Sequence, residues 1–235
     1  MGAAYSFLNM NNISQAAIDL MAKYETGGRA YYEKVYKSGP CWPQGRSGIT
    51  IGVGYDLGYE TTLRDDWSDK LSSSDLARLS DVTGLTGQHA QSELSHVRGI
   101  VIPWDVAMDV FMRRTLPREV QATLRTFPGC DEKLSSNAFG ALVSLVYNRG
   151  ESLAGDRRDE MRHIHDAILA NVGSTCANPN QDLLAYIAKE FISMRRLWPH
   201  VKGSDGDLWT RRGEEAALVT TPDVAAKTQA STVQA

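Results

Sequence analysis

The chain has 235 residues, 42% of them hydrophobic and 23% charged, and a formal net charge of -3. That length and apolar fraction suit one large domain with a real core. The slight acidity excludes a general nucleic-acid binder, since no domain-wide basic excess is present to neutralise phosphates. No apolar run approaches a membrane span, so stable membrane insertion is not expected. Cys41, Cys130 and Cys176 lack any metal-ligand spacing; they read as separate thiols, with a single disulfide conceivable only in an oxidising space.

The first element is "ISQAAIDLMAKYETGG", residues 13–28, a predicted helix with Ser14 as its cap and Gly-Gly as its stop. Its apolar stripe runs through Ile18 and Met21 and reaches Glu25 in the last turn. Burial and the negative end of the helix both disfavour a charge there, and an arginine would offset them. An aromatic, loop-like run follows over 29–48. "GITIGVGYDLG", residues 48–58, then alternates as a strand, with Ile49, Ile51, Val53 and Tyr55 on one face. The other face reads Thr50, Gly52, Gly54, Asp56, two glycines that bare the backbone. On a straight strand Thr50 and Asp56 would lie about 20 Å apart. If both serve one site, the chain must turn near Gly54.

Residues 60–100 are polar and read as short helices on a variable insertion. Pro103 can open a helix, and Pro117 begins a second segment. "SSNAFGALVSLVYNRG", 135–150, is apolar nearly all round and predicts a buried helix stopped by Gly150. Three more helices are expected over 161–173, 182–198 and 208–219. From Thr221 onward the residues are small and polar and predict a disordered tail. His163 and His165 are two apart, a spacing that diverges on a helix, so no metal site is expected.

A carboxylic acid on a buried stripe beside a bare-backbone strand suits glycoside cleavage. One carboxyl protonates the leaving oxygen while a second activates water or attacks the sugar. Glu25 is the candidate acid, Asp56 the second carboxylate, and Thr50 can orient a water.

"ETGG" with "SGITIGVGYDLG" resembles the catalytic glutamate and glycine-rich hairpin of phage-type lysozymes. "SSNAFGALVSLVYNRG" and "GDLWTRRGEEAAL" are similar to that family's buried helix and closing helix. The family aspartate about nine positions after the glutamate is missing, with only Glu33 near, and the family histidine is Tyr55. Asp56, six after Thr50, is instead similar to the arrangement in the muramidase domain of the bacteriocin pesticin.

The resemblance implies an α+β, mainly helical, two-lobed lysozyme-like fold with a small antiparallel sheet. Residues 13–220 would form one domain, its small lobe about 13–100 and its helical lobe about 101–220, between an N-terminal segment 1–12 and a tail 221–235. It implies a muramidase that cleaves between N-acetylmuramic acid and N-acetylglucosamine, without cofactor or metal. Water held by Thr50 and Asp56 would give inversion. Gly52, Gly54, Tyr55 and Asn148 are expected at the glycan, and Arg211 or Arg212 at Glu25.

"MGAAYSFLNMNN" has no signal-peptide pattern. The expectation is a monomer made in the bacterial cytoplasm that acts in the periplasm or wall after delivery or release. Delivery machinery and an immunity protein are the expected partners besides glycan strands. The rival readings are a chitinase-like or chitosanase-like hydrolase and a non-catalytic wall-binding protein.

Overall fold

The computed structural model describes residues 13–198 and 207–223. These form a mainly helical fold with one two-stranded antiparallel sheet. Helix α1, Gln15–Thr26, starts at Ser14, whose hydroxyl accepts the Ala17 N–H at 3.1 Å, and ends at the left-handed Gly27. That cap and stop are the ones its sequence predicts. The run after it is not all loop, because Arg29–Lys34 forms a short helix, α2. An Arg29–Glu33 pair at 2.8 Å supports its outer face. Tyr32 anchors its inner face, giving its hydroxyl to the Ile102 carbonyl at 2.8 Å.

The expected single strand over 48–58 is in fact a hairpin. Strand β1, Thr50–Ile51, pairs with β2, Tyr55–Asp56, around a turn at Gly52–Gly54 in which both glycines have positive φ. Ile49, Ile51, Val53, Tyr55 and Leu57 are all buried, so the period-2 pattern persists through the turn. The alternation is real, but the chain reverses within it.

Three short helices follow as expected: α3 (Leu63–Trp67), α4 (Ser73–Asp81) and α5 (Gly87–Glu93). Helices α6 (Trp104–Val110) and α7 (Leu116–Thr126) are joined by a wide π-helical turn over Phe111–Thr115. Pro117 has no N–H to donate, and just before it the Leu116 N–H reaches back to the Phe111 carbonyl, five residues away. Helix α8, Cys130–Lys133, leads to α9, Ser136–Arg149, in which every residue from Asn137 to Val146 is buried. Helices α1, α7 and α12 (Leu208–Thr220) pack on α9, and α10 (Asp159–Ala170) and α11 (Gln181–Ser193) complete the helical wall beside α12.

The first residues of the expected tail are not loose. Asp223 accepts the Ser136 and Asn137 N–H groups at 2.7 and 3.0 Å and so closes the start of α9. The rest of that tail, and the N-terminal segment 1–12, lie outside the described residues. All three cysteines are free. No helix among the described residues is long and apolar enough to cross a membrane.

Candidate active site

Glu25 enters from the last turn of α1 with its side chain 21% exposed, and Arg211 of α12 grips it, Nη1 to Oε1 at 2.8 Å. Arg211 is itself buried, and it reaches Glu215 at 3.1 Å through Nε. Its Nη2 donates to both the hydroxyl and the carbonyl of Ser144 on α9, at 3.0 and 3.1 Å. Arg212 points elsewhere, to Glu215 at 2.9 Å and to Asn148 Oδ1 at 3.3 Å. Two guanidiniums and two carboxylates therefore balance in one cluster. Burial works against the charge of Arg211, but Glu25 and Glu215 more than restore it. Burial outweighs Glu215 at Arg212, which falls to about 10.

The two hairpin glycines serve different neighbours. A Cβ on Gly52 would sit 2.8 Å from the Trp67 ring, so that bare backbone makes room for the core. A Cβ on Gly54 would meet the Tyr147 hydroxyl at 2.4 Å and Glu25 Oε2 at 3.0 Å. Gly54 thus lets the hairpin backbone press directly on the carboxylate. Tyr147, on α9, ties the turn down by donating to the Val53 carbonyl at 3.1 Å. Burial, then Glu25 and Glu119, keep its hydroxyl protonated by raising its pKa well above the ordinary value.

Thr50 and Asp56 are direct cross-strand partners, so the hairpin brings them together as the sequence argument requires. The Thr50 backbone bonds Cys41 in both directions, leaving its side chain beside Asp56. Asp56 Oδ1 accepts N–H bonds from Gly48 at 2.9 Å and Gly58 at 2.8 Å. Burial raises its pKa against the pull of those two donors. No hydrogen bond links Asp56 or Thr50 to Glu25 among the described residues.

Other residues expected at the glycan have protein neighbours of their own. Tyr55 is 1% exposed and donates to Asp66 at 2.9 Å, while Gly52 lies under Trp67. Asp66 is a structural hub. Burial opposes its charge, but Arg118, Thr62 and Tyr55 together hold it below the usual carboxylate range. Asn148 faces Arg212. Glu33 lies on the outer face of α2 with Arg29, its side chain 46% exposed. No group of three or more metal-binding side chains occurs among the described residues.

One carboxylate was missed by sequence reasoning. Glu119 of α7 is raised to about 7, first by burial and then by Glu60, Glu151 and Glu25. A half-buried carboxylate in the field of three others is a recognised mark of a functional site. Nothing in "PREVQATLRTF" separates it from a solvated helix face, because the signal lies in its distant neighbours.

No protein-family model and no curated protein matches the chain.

Proposed function

We propose that this protein is a peptidoglycan hydrolase, a muramidase with a two-lobed lysozyme-like fold. The observation that carries the reading is Glu25, clamped by Arg211 on one oxygen and abutting the bare backbone of Gly54 with the other. A carboxyl fixed in orientation against a side-chain-free main-chain turn is suited to protonating a glycosidic oxygen. The paired side chains of Thr50 and Asp56, on the same hairpin, supply the water-activating function. The arrangement needs no cofactor. Attack by that water on the face opposite Glu25 inverts the sugar, giving the α-anomer first from a β-linked glycan.

Such an enzyme meets its substrate in the periplasm or wall and reaches it by delivery or release, as a monomer. Purified walls incubated with the full chain test the proposal. Falling turbidity with new reducing ends, and muramic acid at those ends by mass spectrometry, are expected. Release from chitin oligomers but not from walls would favour the chitinase reading, and wall binding without new reducing ends would favour a non-catalytic protein. An initial β-anomer by proton NMR would rule out inversion.

A further inference from the structure

The turn after α2 and the segment between α5 and α6 enclose 530 Å³ of space, within the range of about 300–1,000 Å³ that ligand pockets occupy. Tyr36 comes from the first segment, and Leu94, Ile100 and Val101 from the second, so the walls are largely apolar. Both walls are pinned. The Ile102 N–H donates to the Ser38 carbonyl at 2.6 Å, and Arg78 Nη2 grips the carbonyls of His96 and Arg98 at 2.8 and 2.7 Å. Gly39 permits the close approach, since a Cβ there would stand 3.2 Å from the Ile100 carbonyl oxygen. Just before it, Lys37 and Ser38 hold positive φ of 53° and 54° without being glycine, a strained backbone of the kind kept at ligand clamps.

The charge of the pocket is one-sided. Lys37 and Arg98 line it, and no carboxylate is among the lining residues. Both cations are exposed, and neither side chain forms an ion pair with a described residue. Of the neighbouring carboxylates, Glu33 is engaged by Arg29, Asp75 by Arg78 and Asp81 by His96. On a chain of net charge -3 this is a local positive excess. The apolar surface also runs past the cavity. Val101 is 61% exposed, and Tyr31, 46% exposed, meets Tyr36 edge-on with ring centres 5.3 Å apart.

We propose that this pocket docks an acidic peptide segment of another protein, with a large apolar side chain in the cavity and carboxylates on Lys37 and Arg98. The apolar contact supplies area removed from water, and the two rim cations select the partner and fix its register. A free small acid would fill the cavity but leave Tyr31 and Val101 in water, whereas a peptide covers them. The docking involves none of the residues at Glu25, so it is independent of the muramidase reading.

Amide chemical-shift titration of the full-length protein by NMR tests it without any glycan. The probes are the blocked peptides Asp-Phe-Leu-Asp, Asn-Phe-Leu-Asn and Asp-Gly-Gly-Asp, and a soluble chitin oligomer. The first should bind and shift the amides of 36–39 and 94–101. Losing either its charges or its apolar pair should weaken it about tenfold or more. Arg98→Gln should weaken it similarly while leaving the fold intact, because Arg78 holds the Arg98 carbonyl and not its side chain. Lys189→Gln, on the outside of α11, should bind as wild type does. No binding of Asp-Phe-Leu-Asp at millimolar concentration, equal binding of the asparagine peptide, or indifference to Arg98→Gln would overturn the proposal. Shifts of the same amides by the chitin oligomer in place of the peptide would overturn it too.

Discussion

Glu25 and Arg211 stand 186 residues apart in the chain and 2.8 Å apart in space. The contact joins the first described helix to the last, and Ser144 and Glu215 fix the arginine from behind. One guanidinium thus orients the proposed acid and balances a carboxylate that has no exposure. The closing helix belongs to the site as much as the hairpin does.

Glu25→Gln should lower wall cleavage by about a hundredfold or more, the range of a lost general acid. The amide still fits beside Arg211, which keeps Glu215, so thermal unfolding should change little. Turbidity clearance with the purified, folded variant measures this. Activity near wild type would move the acid elsewhere.

Arg211→Met leaves Glu25 and the fully buried Glu215 without their shared partner. Breaking one side of a buried pair costs about 3–5 kcal/mol, and urea unfolding should show a loss of that order. Arg211→Lys should recover part of it, since the charge remains while the forked contacts to Ser144 and Glu215 are lost. A Met variant as stable as wild type would show that Arg212 alone suffices for Glu215.

Asp56→Asn should cripple cleavage, and Glu33→Gln should be nearly silent. Asp56 faces Thr50 across the hairpin, whereas Glu33 lies outside α2 in a surface pair with Arg29. Asp56 also anchors Gly48 and Gly58, so thermal melts must accompany the rates. An unfolded Asn variant would make Asp56 a turn anchor; a folded, inactive one supports the base. A silent Asp56→Asn with a dead Glu33→Gln would reassign the base.

Local rules in the sequence account for much of this fold. Ser14 and Ser135 cap the helices they precede, Gly27 closes α1, and the apolar run over 137–146 is buried on all sides. The hairpin misleads because two glycines with positive φ reverse the chain without interrupting the alternation. Helix α2 escapes because a six-residue helix has too few positions to display a period. At the site, Glu25 is legible from its stripe. The alternation puts Tyr55 on the apolar face, where it is buried, but its hydroxyl's partner, Asp66, is eleven residues on in another element and is not legible. Arg211 and Arg212 differ only in direction, which neighbouring helices decide.

Gly54→Ala should disable the site, and Gly45→Ala should not. Both glycines have positive φ, +67 and +65, so both variants carry the backbone strain of a left-handed residue, about 1 kcal/mol. Only at Gly54 does the new Cβ meet the Tyr147 hydroxyl at 2.4 Å, while Gly45 faces open space. The Gly54→Ala protein should lose at least about tenfold in wall clearance, since small misplacement of a catalytic group is costly. The Gly45→Ala protein should show the strain in urea unfolding alone. Equal activity in both variants would separate Gly54 from catalysis.

Glu119 should make stability depend on pH between its two protonation states. Its folded pKa rises from 4.5 to about 7, chiefly by burial and then by Glu60, Glu151 and Glu25. A raised carboxylate binds its proton more tightly in the folded state, so its favourable contribution is fully present below about pH 4.5. That contribution is lost progressively as pH rises through about 7, where the folded protein must hold the charge. A shift of that size corresponds to roughly 3 kcal/mol. Glu119→Gln cannot take the charge and should escape this loss. Urea unfolding of both proteins at pH 4.5 and pH 8 isolates the effect, because every other titrating group is common to them. The Gln variant should gain on wild type by an amount of that order between the two pH values. A difference independent of pH would mean that Glu119 reaches water when charged and does not feel the carboxylates around it.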